Sequence, residues 1–116
     1  MKAIYKLHYS CGRQGKLTGL FVEEEEIVDW LVKSGLELYF GEVLGKHSEV
    51  CGPLEKCDFS FISKDENVID VILNNDLCNG YNPFDTLLLG TEDLLGDKYE
   101  DNLTANEVYH LLFDKN

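Results

Sequence analysis

Basic side chains are scarce in this sequence beside its acids. Its 116 residues hold 10 lysines and arginines against 22 aspartates and glutamates, a net charge of −12. A surface of that sign repels nucleic acid, whose binding relies on cationic side chains displacing counterions. It disfavours anionic membranes for the same reason. No apolar run approaches the roughly 18–20 residues of a membrane span. The opening Met1-Lys-Ala-Ile-Tyr-Lys6 is too short and too polar for a secretory leader. These absences predict a soluble, cytoplasmic protein that makes no direct contact with nucleic acid or membrane.

Metal-binding patterns are missing too. The four cysteines are Cys11, Cys51, Cys57 and Cys78. None forms C-x-x-C, and none stands at zinc-ligand spacing from a histidine. No metal site or cofactor is therefore expected, and the thiols are expected to be reduced. Cys57 lies in an apolar alternation and is expected in the core. Cys11, in a glycine-rich turn, is the one thiol whose reactivity merits a test. Internal repeats and low-complexity linkers are also lacking, so residues 1–116 read as a single domain.

What is present is enough apolar material for a core, 44% hydrophobic and 11% aromatic. The charge is unevenly spread. Residues 1–22 carry Lys2, Lys6, Arg13 and Lys16 and no acid, giving +4, while residues 23–116 carry all 22 acids and six lysines, giving −16. An acidic field favours basic partners and speeds their approach. Its ordinary alternative is solubility alone.

Local pattern predicts β structure first and helix later. Ala3, Tyr5, Leu7 and Tyr9 alternate with Lys2, Ile4, Lys6 and His8, which predicts a strand. Lys16 to Val22 predicts a second, paired with the first in an antiparallel hairpin. Glu23 to Ser34 predicts a helix with its acids in the first turn and Gly35 as its stop. Strands are expected over Leu36–Val43, Glu49–Leu54 and Cys57–Ser63, the last with Cys57, Phe59 and Phe61 on one face. Ser63-Lys-Asp-Glu66 and Thr104-Ala-Asn-Glu107 match the capping-box pattern, each opening a helix. Phe84 to Leu95, interrupted by Gly90, reads as two short helical pieces. The resulting expectation is an α+β fold, a small antiparallel sheet of about five strands with three to four short helices on one face.

Four groups of residues carry candidate chemistry. His8, Cys11, Arg13 and the glycines at 12 and 15 can form an anion nest or a thiol–imidazole pair. Yet the phosphatase-loop arginine is lacking, since Leu17 stands there, and only G-x-x-G of the dinucleotide fingerprint is present. The ordinary reading is a hairpin turn. Gly41-Glu-Val-Leu-Gly-Lys-His-Ser-Glu49 gathers Glu42, Lys46, His47 and Glu49 between two strands, either as a polar turn or as a ligand site. Gly80-Tyr-Asn-Pro-Phe84 is a turn whose Tyr81 and Phe84 are expected to pack back onto the sheet. Finally, residues 85–116 hold eight acids and two lysines. Carboxylates spread over short helices can imitate a row of phosphates, or can simply form a solvated face.

Two segments, Cys11-Gly-Arg-x-Gly and Tyr39-Phe-Gly-Glu-Val-Leu-Gly-Lys-His-Ser-Glu-Val50, resemble those of small, uncharacterised proteins carried by phages and mobile elements. That resemblance covers roughly the first 60 residues and implies no catalytic residues. It does imply a role such as inhibition of host machinery, of the anti-CRISPR or anti-restriction kind.

Three functions follow in order. The first is a small acidic interaction protein that blocks a basic, nucleic-acid-handling host protein, with Glu92, Asp93, Asp97, Glu100 and Asp101 as contact residues. The second is a small-ligand or nucleotide-binding module using Arg13, Lys16, Lys46 and His47. The third, an enzyme built on Cys11 or on Glu42 and His47, ranks last because no catalytic set is complete.

Overall fold

In the computed structural model, residues 1–10, 15–41 and 49–113 are described. The opening alternation builds the first sheet. In β1 (Lys2–Ser10), Ala3, Tyr5 and Leu7 are buried while Lys2, Lys6 and His8 face solvent. β1 pairs antiparallel with β2 (Lys16–Glu24) from Lys2 opposite Glu24 to Ser10 opposite Lys16, which is the expected hairpin. On its other side β1 pairs with β5 (Phe59–Ser63). A bulge at Ile62 shifts that register between Ile4–Ser63 and Tyr5–Phe61. The two-residue β6 (Asn79–Gly80) pairs with β2, so the strand order is β5-β1-β2-β6.

The second sheet has the order β4-β3-β7, formed by β3 (Glu37–Gly41), β4 (Val50–Pro53) and β7 (Leu87–Leu88). The fold is thus α+β as expected, but the seven strands of the described residues divide between two antiparallel sheets rather than joining in one of about five. The sequence pattern marks strands and not their partners. β3 finds β7 some fifty residues onward, where only Leu38–Leu88 and Tyr39–Leu87 pair.

Between β2 and β3, helix α1 (Glu25–Ser34) buries Ile27, Val28 and Leu31. Glu25 and Glu26 occupy its first turn, whereas Glu23 and Glu24 still belong to β2. Gly35 ends the helix in the left-handed conformation, φ 65°. Helix α4 (Ala105–Phe113) opens on the expected capping box, with the Glu107 amide donating to Thr104 Oγ1 at 3.3 Å and the Thr104 amide to Glu107 Oε1 at 3.1 Å.

One core joins both sheets, with Leu7 and Phe21 from the first and Leu38 and Leu88 from the second. Its centre is aromatic. Phe84 is fully buried, 5.7 Å from Phe21 and 6.2 Å from Phe59 between ring centroids, and Tyr5 stacks on Phe21 at 5.9 Å. Phe84 thus packs back as expected, whereas Tyr81 stays exposed with its ring edge-on to Phe40.

Three expectations change here. Cys57 is exposed, because residues 56–58 form a 3-10 turn before β5 begins; the Glu55 amide bonds Asp58 Oδ2 at 2.8 Å and turns the thiol outward. Helix α2 (Glu66–Asn74) is capped by Asp65, which accepts from the Asn67 amide, while Ser63 accepts from the Asp65 amide instead. Of its apolar residues only Ile69 is buried, and Val68, Val71 and Leu73 face outward. The stretch from Phe84 holds one short helix, α3 (Glu92–Leu95); its first half is a 3-10 turn at Pro83–Asp85 followed by β7.

Candidate functional site

The acidic third is organised by the loop that joins β7 to α4. Its two ends are clipped together by the Leu88 amide donating to the Leu103 carbonyl at 3.0 Å. The Leu89 amide donates to the Glu37 carbonyl at 2.8 Å, which ties the loop to β3. Leu95 and Leu103 are buried in the core, and Thr91 is buried with its carbonyl accepting from the Leu95 amide. A single turn of α3 and a 3-10 turn at Gly96–Lys98 fill the loop. Such a loop is held by its own packing and by its closed ends.

On this frame Tyr99 draws carboxylates together. Its hydroxyl reaches Asp101 Oδ1 at 2.8 Å and Glu92 Oε1 at 3.4 Å. One proton serves two acceptors, so the longer contact is the weaker one. The hydrogen bond to Asp101 comes first among the influences that push the phenol up to about 12, with Glu92 adding to it. Glu92, Glu100 and Asp101 line a shared hollow of about 330 Å³. Asp93 leaves this group and lines a separate hollow beside Trp30, Leu36 and Leu94. Asp97 is exposed and lines neither. Of the five acids singled out from sequence, the fold therefore gathers three.

These carboxylates are not neutralised from within. Among the described residues the ion pairs are those of the Met1 ammonium with Glu24 and Glu26. Lys98, the lysine nearest in sequence, donates instead to the Leu111 carbonyl at 3.2 Å, satisfying a group near the end of α4. The phenol of Tyr99 was not among the sequence candidates. An aromatic residue set within Lys98-Tyr-Glu-Asp101 was the available signal, but only the fold brings Glu92 to it.

The chain matches no protein-family model, no curated protein and no solved structure. Function must therefore be argued from these residues.

The second candidate set is only partly visible. Arg13, Lys46 and His47 lie outside the described residues, as do Cys11 and Glu42. Lys16 is exposed at the start of β2, opposite Ser10. The β1–β2 register puts Lys2, Lys6, His8 and Lys16 on one face of the first sheet, where His8 Nε2 lies 2.7 Å from Ser60 Oγ. Glu24 stands opposite Lys2 on that face, so its basic part is Lys6, His8 and Lys16. Cys51, Cys57 and Cys78 are exposed free thiols, and the Cys57 thiol is pushed up by desolvation and then by Asp58 and Glu55. That shift opposes nucleophilic use. No group of three metal-ligating side chains occurs among the described residues, and no helix there is long and apolar enough to cross a membrane.

Proposed function

We propose that this protein is a small acidic interaction protein that inhibits a basic, nucleic-acid-handling host protein. The contact is made by the loop between β7 and α4. The reading rests on one observation above the rest, the Tyr99 hydroxyl joining Asp101 and Glu92 on a closed loop whose carboxylates form no ion pair among the described residues. Fixed carboxylates lose less freedom on binding than mobile ones, so they meet lysines and arginines at lower entropic cost. The field of the remaining acids steers a cationic surface toward them. The resemblance of residues 11–15 and 39–50 to phage-borne proteins supports a host target of this kind.

The test is capture from a bacterial lysate with tagged wild type and with Glu92→Lys/Asp101→Lys, at about 50 and 500 mM salt, where the screening length falls severalfold. A stoichiometric basic partner should bind the wild type at low salt, leave at high salt, and be absent with the double variant. Equal capture by the two proteins would refute the loop as the contact. Absence of any partner at low salt would favour the second reading, an anion-binding module at Arg13, Lys16, Lys46 and His47, which the grouping of Lys6, His8 and Lys16 on one sheet face supports.

A further inference from the structure

A second surface, separate from the acidic loop, has the shape of a missing strand. β5 ends the first sheet, and among the described residues β1 is the one strand paired with it. Its outer edge presents backbone donors and acceptors, a template for another strand. The strand Phe59-Ser-Phe-Ile-Ser63 carries no charge and no proline to discourage pairing. Phe61 and Ile62 are 52% and 51% exposed, so the apolar side chains of this edge stay in water. Of the twelve large hydrophobic residues exposed in the described part, six fall within residues 61–77. Phe61 and Ile62 belong to β5 itself, and the other four to α2 and the turn that follows it.

Beside that edge runs a groove of about 390 Å³. Its floor is aromatic, with Tyr5, Phe59 and Phe61 set edge to face at 6.3 and 5.8 Å. Its far wall is α1, through Val28 and Val32. A strand added to β5 would place alternate side chains on the same sheet face as Phe59 and Phe61, since side chains repeat every second residue. Those side chains would enter the groove against α1. Lys33, Lys56 and Asp29 also line it, and Glu25 and Glu26 of α1 lie near enough to act on Tyr5. In a chain whose residues 23–116 hold only six lysines, two meet here.

We infer that the edge of β5 and the groove between it and α1 receive an extended segment of a partner protein, with bulky apolar residues at alternate positions and acidic residues beside them. Backbone pairing with β5 supplies affinity, while the aromatic floor and the two lysines select the side chains. The bulge at Ile62 limits the regular pairing to a few residues. Binding is accordingly of modest strength.

The test uses a displayed library of random 12-residue peptides, selected on the full chain. Enriched peptides should alternate bulky apolar residues, carry Asp or Glu, and shift amide resonances of Phe59–Ser63 and α1. Methylating the peptide's backbone nitrogens should weaken binding at least tenfold, as should Lys33→Glu/Lys56→Glu, whose surface changes leave folding intact. Val32→Glu should do the same. Four results would overturn the inference: no selective peptide, enrichment of basic peptides, indifference to methylation, or shifts elsewhere on the protein. A wild-type chain that sediments as a dimer with β5 protected would overturn it also, since a second copy would then occupy the edge.

Discussion

Adding one methyl group at Gly19 should dislodge the edge of the first sheet. A Cβ on Gly19 would lie 2.1 Å from the Tyr81 carbonyl oxygen and 2.7 Å from the Tyr81 nitrogen, both backbone atoms. An ordinary contact starts near 3.4 Å, so the two chains must part by more than 1 Å. The approach is equally close at Gly80 opposite, where a Cβ would meet the Thr18 carbonyl oxygen at 2.3 Å. Separation on that scale breaks the bond from the Tyr81 amide to the Thr18 carbonyl, now 3.0 Å. Overpacking costs about 1–3 kcal/mol, and a lost hydrogen bond about 1 kcal/mol more. Gly19→Ala should therefore destabilise the protein by about 2–4 kcal/mol, a large share of the roughly 5–15 kcal/mol typical of a domain. Gly90→Ala is the control. Gly90 has φ +70° and open space around its missing Cβ, so it bears only the conformational cost, about 1–2 kcal/mol. Urea unfolding followed by circular dichroism should rank wild type above Gly90→Ala and Gly90→Ala above Gly19→Ala. If β6 detaches locally, the loss is smaller, but the Tyr81 amide then exchanges faster. Wild-type stability together with an unchanged Tyr81 amide would refute the argument.

Two titrations probe the groups whose surroundings are unusual. Tyr5, through burial, and Tyr99, through Asp101, are both pushed up to about 12. An ultraviolet titration should find Tyr5 and Tyr99 ionising late, and Asp101→Asn should return Tyr99 toward the ordinary range. Because these phenols ionise near pH 10 when unfolded, their contribution to stability is intact below that pH and is lost as pH rises toward 12. No change in the late component with Asp101→Asn would remove Tyr99 from its assigned role. Glu23 is raised mainly by burial, although the Glu24 amide and Asn106 Nδ2 donate to it at 3.0 Å each. A carboxyl raised on folding favours the native state most below its unfolded value, and this contribution disappears as pH rises through its folded one. Glu23→Gln should thus melt higher than wild type at pH 7.5, with the gap closing as pH falls into the carboxylate range. A variant that melts lower at pH 7.5 would show that the hydrogen bonds outweigh the burial.

The parts of this fold legible in the sequence are those decided by neighbours along the chain. The β1–β2 hairpin follows from period-two alternation across a short gap, and α1 ends where Gly35 can take its left-handed conformation. The Thr104–Glu107 box works because both partners lie within one turn. Errors arise where two local solutions compete. Ser63-Lys-Asp-Glu66 offers two caps, and Asp65 wins by bonding the Asn67 amide while Ser63 takes up the Asp65 amide. Alternation through Cys57 continues a strand on paper, but the Glu55–Asp58 turn intervenes. Pairings at long range leave no local trace at all, so the second sheet, closed by two residues of β7, is not legible in the sequence. The same distinction governs the candidate site. Eight acids among the last 32 residues look alike in a sequence, and charge alone cannot rank them. A phenol hydroxyl within reach of Glu92 and Asp101, seven residues behind it and two ahead, does the ranking. It separates those two from Asp93 and Asp97, which carry the same charge but are drawn into no shared contact. The acidic surface therefore has an address, and substitution at Glu92 and Asp101 should matter to a cationic partner more than equal substitution at Asp93 and Asp97.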